Sequence, residues 1–300
     1  MITSIRQKKR LTGHTGSVYS LERMQNIFFS GGGDGIVARW ELSRSEIGDA
    51  YFRASNGVYA IKHLAELNKL FIGLGTGSVH IIDMVTGQEE HLLQLHDSHI
   101  FTIVFSAKYQ LIITGGGDGI ICVLDFSFAL IKKINVSGSK VRSIIFTADG
   151  DSCIIGSGDG KISILEIPSF LLIKQWQAHE AGFGVNSVCL SPDGKFLLSG
   201  SRDARLNIYN ATSLELMESI PAHNYAIYDI AFHSKGKIFA TAGRDKVVKL
   251  WDADSFEVIE RMDKENHDGH DHSVNKILWM DDDLVSAGDD RTIIVWETGI

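Results

Sequence analysis

Three hundred residues with 44% apolar content can bury a full core, which rules out a disordered chain. A formal charge of −8 argues against a general nucleic-acid binder, whose surface must neutralise phosphates. Thirty glycines against three prolines point to many tight turns, and Cys122, Cys153 and Cys189, scattered in apolar runs, read as core filling in a reducing compartment.

The opening segment, "MITSIRQKKRL", lacks the apolar core of a signal peptide, and no run of about 18 apolar residues offers a membrane span. The chain therefore reads as cytoplasmic, with no membrane partner. Arg6, Lys8, Lys9 and Arg10 form a small basic cluster, read as a solvated strand face in preference to a localisation or heparin-type patch.

Next comes "SGGGDGIVARW", Ser30 to Trp40, which could be a phosphate-cradling loop, a calcium turn or a bend between strands. The same turn recurs down the chain, with Asp34, Thr76, Asp118, Asp159, Asp203, Asp245 and Asp290 at intervals of 42, 42, 41, 44, 42 and 45 residues. Six residues after each stands a second landmark: Trp40, Ile82, Leu124, Leu165, Tyr209, Trp251 and Trp296, every one followed by an acid or Asn. Apolar residues alternate on both sides of each turn, as in "KFLLSGSRDARLNIYN", which is the signal of a β-hairpin. No helical period follows any copy, as a nucleotide loop would need, and the period is far from the nine residues of the calcium β-helix. The turn is architecture.

Each unit holds two further strands, one before the hairpin, such as "SVYSLERM", and one after the landmark, such as "SLELMESI". Four strands repeated seven times without helices predict an all-β, seven-bladed propeller occupying residues 1–300 as a single domain. The chain resembles the WD-repeat family over almost its whole length. "GHTGSVYSLERMQNIFFSGGGDGIVARWE" (Gly13 to Glu41) aligns without a gap to "GHDHSVNKILWMDDDLVSAGDDRTIIVWE" (Gly269 to Glu297).

Recurring Asp, His and Ser invite a hydrolase reading. The sets are His14, Ser30, Asp34, Trp40; His223, Thr241, Asp245, Trp251; and His270, Ser286, Asp290, Trp296. His179, Ser199 and Asp203 carry Tyr209 in place of Trp, and His96, Thr114 and Asp118 lack the aromatic. An active site is normally singular, whereas this constellation fills five units of seven. The resemblance implies a structural chain instead, in which Asp accepts from His, His reaches the hydroxyl and the aromatic extends the chain. Blade two has Thr76 for Asp and no leading His, and blade four has Ser137 for His and Ile155 for the hydroxyl, so both should be less pinned.

Only four residues follow Trp296, too few for the last unit's fourth strand, while "SIRQKKRLTGH" matches "SLELMESIPAH" without gaps. Residues 3–11 are therefore expected to supply the outer strand of blade seven and close the ring. The longest connection, "KENHDGHDH" at Lys264 to His272, gathers His267, His270, His272, Asp268 and Asp271, so a metal-binding or enzymatic role for residues 264–272 stays open as an alternative.

In WD-repeat proteins, the positions three and five after the leading His, and the one before the turn Asp, often contact partners on the narrow face. Carried onto this chain, the fifth position is Tyr19, Tyr59, Phe101, Arg142, Asn186, Tyr228 and Asn275. Of these, Tyr59, Arg142 and Asn186 are placed from the preceding Val, because blades two and four lack the His and blade five has two extra residues before Val185. Position three contributes His99 and Lys140; the pre-turn position contributes Arg202, Arg244 and Asp289. Enrichment in Tyr and Arg marks binding hot spots, although rings there could equally line the channel or pack between blades. The expectation is a non-catalytic protein–protein interaction scaffold, monomeric by itself, that takes a peptide or protein segment on the top face near the channel mouth. It needs no cofactor or metal and binds no nucleic acid. A narrower version makes the aromatics a cage for a methylated or other cationic side chain. A rival version makes the chain a structural subunit that binds through its outer walls.

Overall fold

Alternating apolar residues and seven repeated hairpins give seven four-stranded antiparallel sheets in a computed structural model describing residues 5–44 and 48–300. Strands a to d run outward from a central channel. Strand a is Val18–Met24, Val58–Leu64, Ile100–Ser106, Val141–Phe146, Val185–Leu190, Ile227–Phe232 and Val274–Met280 in blades one to seven. Strands b and c form the hairpin around each turn Asp or Thr76, for example Ile238–Gly243 and Val248–Asp252 in blade six.

Strand d of blade seven is Arg6–Leu11, paired antiparallel to Ile293–Glu297 with Arg6 opposite Glu297 and Leu11 opposite Ile293. Residues 3 and 4, also assigned to this strand from the sequence, lie outside the described residues. Its cations are paired as well as wetted: Arg6 meets Glu297, Lys8 Nζ lies 2.6 Å from Asp283, and Arg10 donates to the Asp268 and Gly269 carbonyls.

The core lies between blades, where faces of neighbouring sheets interdigitate. Trp251 stacks on Phe239 at 5.8 Å and packs with Leu198 and Ile208 of blade five; Trp296 is fully buried with Leu250 of blade six. Because strands b and c are covered on both faces, runs such as Leu111–Gly116 are buried throughout. In blades two, three, five and six the Asp or Asn after the landmark shapes the c–d turn. Oδ1 of Asp83, Asp125, Asn210 and Asp252 accepts the N–H two residues on, at 2.8–2.9 Å.

The Asp/His/hydroxyl sets form as chains. In blade one the Trp40 indole donates to Ser30 Oγ (2.7 Å), Ser30 lies 2.7 Å from His14 Nε2, and His14 Nδ1 lies 3.0 Å from Asp34. An indole only donates, so the Ser30 proton goes to Nε2 and the Nδ1 proton to the carboxylate. Thr15 and Ile36 N–H groups complete the shell of Asp34. Blades six and seven repeat it through Thr241 and Ser286, and blade three does so through Thr114 without an aromatic.

Blade five departs from expectation. His179 bridges Asp203 (2.9 Å) and Ser199 (2.8 Å), but Tyr209 Oη donates to the Ala178 carbonyl at 3.1 Å and does not reach Ser199. A phenol carries its donor at the ring tip, beyond the hydroxyl that an indole edge meets. In blade four Ser157 Oγ bonds Asp159 at 2.6 Å, and in blade two Thr76 bonds Ser78 at 2.8 Å.

The residue after each turn Asp or Thr76 is left-handed in all seven blades. It is Gly35, Gly77, Gly119 and Gly160 in the first four but Ala204, Lys246 and Arg291 in the rest. At Gly77 a Cβ would stand 2.1 Å from the His96 carbonyl oxygen, so only blades five to seven admit a side chain here.

Candidate functional site

Every strand a is bulged at one residue, in the step from Val18 to Ser20 of blade one and its equivalents. The skipped residues are Tyr19, Tyr59, Phe101, Arg142, Asn186, Tyr228 and Asn275. A bulge leaves one residue out of the ladder and re-aims its side chain. All seven therefore line one cavity of about 830 Å³ at the ring axis, together with His99, Lys140 and Asp289.

The rings join into one array. Tyr19 and Tyr59 stack at 4.6 Å and 5°; Tyr59 meets His99 (4.6 Å) and Phe101 (5.9 Å) edge-on; His99 and Phe101 lie parallel at 5.6 Å. The Arg142 guanidinium sits 4.6 Å over the Phe101 ring, and Lys140 Nζ lies 5.9 Å from it. Glycine makes room for this. A Cβ at Gly75 would fall 3.1 Å from the Tyr59 ring, and one at Gly117 would fall 3.3 Å from Phe101.

Tyr228 lines the same cavity without joining the array. The amide nitrogens of Asn186 and Asn275 are committed between blades, Asn186 to the Ile227 carbonyl (2.7 Å) and Asn275 to Val18 (3.0 Å) and Asp289 (2.7 Å). Arg202 and Arg244, expected on the rim, stand exposed at their turns and do not line the cavity. Arg244 lies 6.0 Å over the exposed Tyr225 ring.

Sequence reasoning passed over Tyr225, which stands two residues after His223 where positions three and five were read. It also missed Lys276 and Asp229, paired at 2.9 Å on the cavity wall. Their signal was present: the residue after each bulge position is Ser143, Ser187 and Asp229 in blades four to six. Each accepts a strand-a N–H of the next blade, from Val188, Ile230 and Ile277.

The electrostatics are one-sided. Asp229 is held by Lys276 and Asp289 by Asn275, whereas Arg142 and Lys140 have no side-chain hydrogen bond or ion pair among the described residues. Burial, together with the neighbouring Arg202 charge, lowers the Arg142 guanidinium from its usual range, while Tyr228 and Tyr59 act the other way. Burial and the charges of Lys140 and Arg142 push His99 down, which favours its neutral form, and burial and Tyr19 push Tyr59 up.

The His-rich connection does not converge. His270 is turned inward to Ser286 and Asp290, and His267 Nε2 lies 3.9 Å from Glu260. Among the described residues no group of three His, Cys, Asp or Glu side chains is placed to hold a metal. Cys122 and Cys153 are buried, and burial pushes their thiols up to about 11 and about 12. Among the described residues no helix is long and apolar enough to cross a membrane.

The chain is similar to a zebrafish (Danio rerio) protein named THO complex subunit 6 homolog, at 29% identity over 126 residues. That match spans 38% of this chain and 38% of the relative. The WD domain, G-beta repeat family matches residues 5–41, 87–125, 170–210, 214–252 and 264–297. The two long gaps, 42–86 and 126–169, each take in the strand d of the blade before and then strands a to c of blades two and four, the two that lack the leading His. Seven four-stranded blades, five of them with the Asp–His–hydroxyl chain, and a family match over more than half the length lead to one statement: the chain belongs to the WD-repeat family.

Proposed function

We propose that the 300 residues act as one propeller domain, a non-catalytic protein–protein interaction scaffold that takes a peptide or protein segment at the channel mouth. The observation that carries this reading is the continuous array from Tyr19 through Tyr59, His99 and Phe101 to Arg142, half-buried and open to a cavity of about 830 Å³. Aromatic area held by stacking costs little side-chain entropy on binding, and an Arg without an acceptor favours an acidic partner group. The segment is therefore one with apolar side chains for the array and a carboxylate for Arg142. A cationic side chain fits less well, because Tyr19 already covers one face of Tyr59 and two cations stand at Phe101. Likeness to the THO complex subunit 6 homolog supports a place within a multi-protein assembly.

Tyr59→Ala and Phe101→Ala should each weaken capture of the main partner by about 2 kcal/mol or more, with melting temperatures close to wild type. Affinity capture with mass spectrometry, beside thermal melts, decides it. Normal capture by both variants removes the reading, and so does loss of fold stability in parallel with loss of capture. Arg142→Gln should also flatten the salt dependence of capture, measured by titrating sodium chloride; an unchanged salt slope would exclude the carboxylate contact.

A further inference from the structure

The outer wall carries a feature that the channel reading does not use. Strand d is also bulged, and the residue left out of the ladder is Ile131, Ile173, Met217 and Ile259 in blades three to six. In blades two and seven the same place holds Glu90 and Lys8. Edge strands are normally blunted by such charges, so four consecutive apolar bulges depart from the usual protection.

The belt is most open at blades four and five, where Leu171, Leu172, Ile173, Leu216 and Met217 are 67%, 57%, 59%, 54% and 52% exposed. Strand d starts at the c–d turn, so this patch lies at the end of the wall away from the channel mouth. Immediately after it, at one equivalent register, blades three and four carry Lys132 and Lys174, and blades five and six carry Glu218 and Glu260. Lys174 and Glu218 form no ion pair among the described residues.

We propose that a second copy of this chain docks on this wall. The two rings stand side by side, related by a twofold axis parallel to the channel and passing between blades four and five. Such an axis keeps both belts at one height and sets blade four of each copy against blade five of the other. Lys174 then faces Glu218 twice, and Leu171, Leu172 and Ile173 meet Leu216 and Met217. An isologous contact needs this self-complementarity of one patch with itself. The five side chains expose roughly 600 Å², taking about 200 Å² for a fully exposed aliphatic residue, against about 800 Å² per partner in a standard interface. Blades in a seven-membered ring turn by about 51° each, which carries Lys132 and Glu260 away from the contact.

Sedimentation equilibrium of the full chain from about 1 to 200 µM should show a monomer–dimer equilibrium. K174E and E218K should each weaken dimerisation at least about tenfold, because each sets like charges opposite one another at two places. An equimolar mixture of K174E with E218K should recover the dimer, since both contacts then join opposite charges. The K174E/E218K double variant should recover it too. Melting temperatures of the single variants should match wild type. A wild-type monomer throughout overturns the proposal, and so does a dimer insensitive to either swap. Failure of the mixture to recover dimer likewise overturns it. These outcomes do not depend on the channel residues.

Discussion

Deleting residues 1–11 should destabilise the protein by more than about 4 kcal/mol or leave it aggregating, because the strand that closes the ring is lost. Leu11 is buried against Trp40 and Ile293, and the segment pairs with Ile293–Glu297 along its length. Without it that strand, "IIVWE", becomes an open and apolar sheet edge. Two anchors go as well: Lys8 to Asp283, and Arg10 to the carbonyls before His270. His14 lies beyond the deletion, so the blade-one chain of hydrogen bonds remains to be formed. Thermal melting beside light scattering decides it. A truncated chain that scatters no more light than the full one and melts like it is incompatible with this closure.

Asp245→Ala should cost about 1–3 kcal/mol through an orphaned, buried His223. Asp245 accepts His223 Nδ1 at 2.9 Å and the Asn224 N–H at 3.0 Å, and His223 Nε2 is fixed by Thr241 at 2.7 Å. The loss is read as a shift in denaturation midpoint, and a shift too small to measure would exclude the network in that blade. A pH dependence follows from the same groups. Burial by itself would raise the carboxyls of Asp34, Asp203 and Asp245, but the histidines and backbone N–H groups outweigh it and hold them below the usual range. A carboxylate depressed on folding contributes stability that is complete above its unfolded value of about 3.9 and disappears as pH falls through the folded value. His96 is held down by burial, against Asp118, so protonation of the unfolded chain erodes stability as pH drops below about 6.5. Denaturation midpoints should therefore decline gently from neutral pH to about 5 and steeply below about 4. Midpoints that stay level down to about pH 3 would contradict the depressed carboxyls.

Much of the architecture was legible because each blade is local. Alternation sets a strand, the Asp-Gly pivot sets a hairpin, and His14, Ser30, Asp34 and Trp40 all belong to one blade, where they link through Ser30 from strand c to the b–c turn. The same logic over-reached at Tyr209, where an aromatic in the right place carries its donor at the wrong distance for Ser199. Arg202 and Arg244, expected at turns on the rim, do stand exposed at those turns, outside the residues that line the cavity.

By itself the sequence determined seven units, four strands in each and the borrowed N-terminal strand, because every one of these depends on residues within a unit or on matching two ends of one repeat; the polar chains were what the family resemblance implied. Tertiary structure alone decided what faces what across units. The strand-a bulge aims Tyr19, Tyr59, Phe101 and Arg142 inward, and only the rotation between blades sets Tyr19 on Tyr59 and Arg142 over Phe101. Asn186 and Asn275 occupy the same repeat position, yet the neighbouring blade's carbonyl claims their amides. A buried amide must be satisfied by whatever the next blade presents, and that is a property of the closed ring.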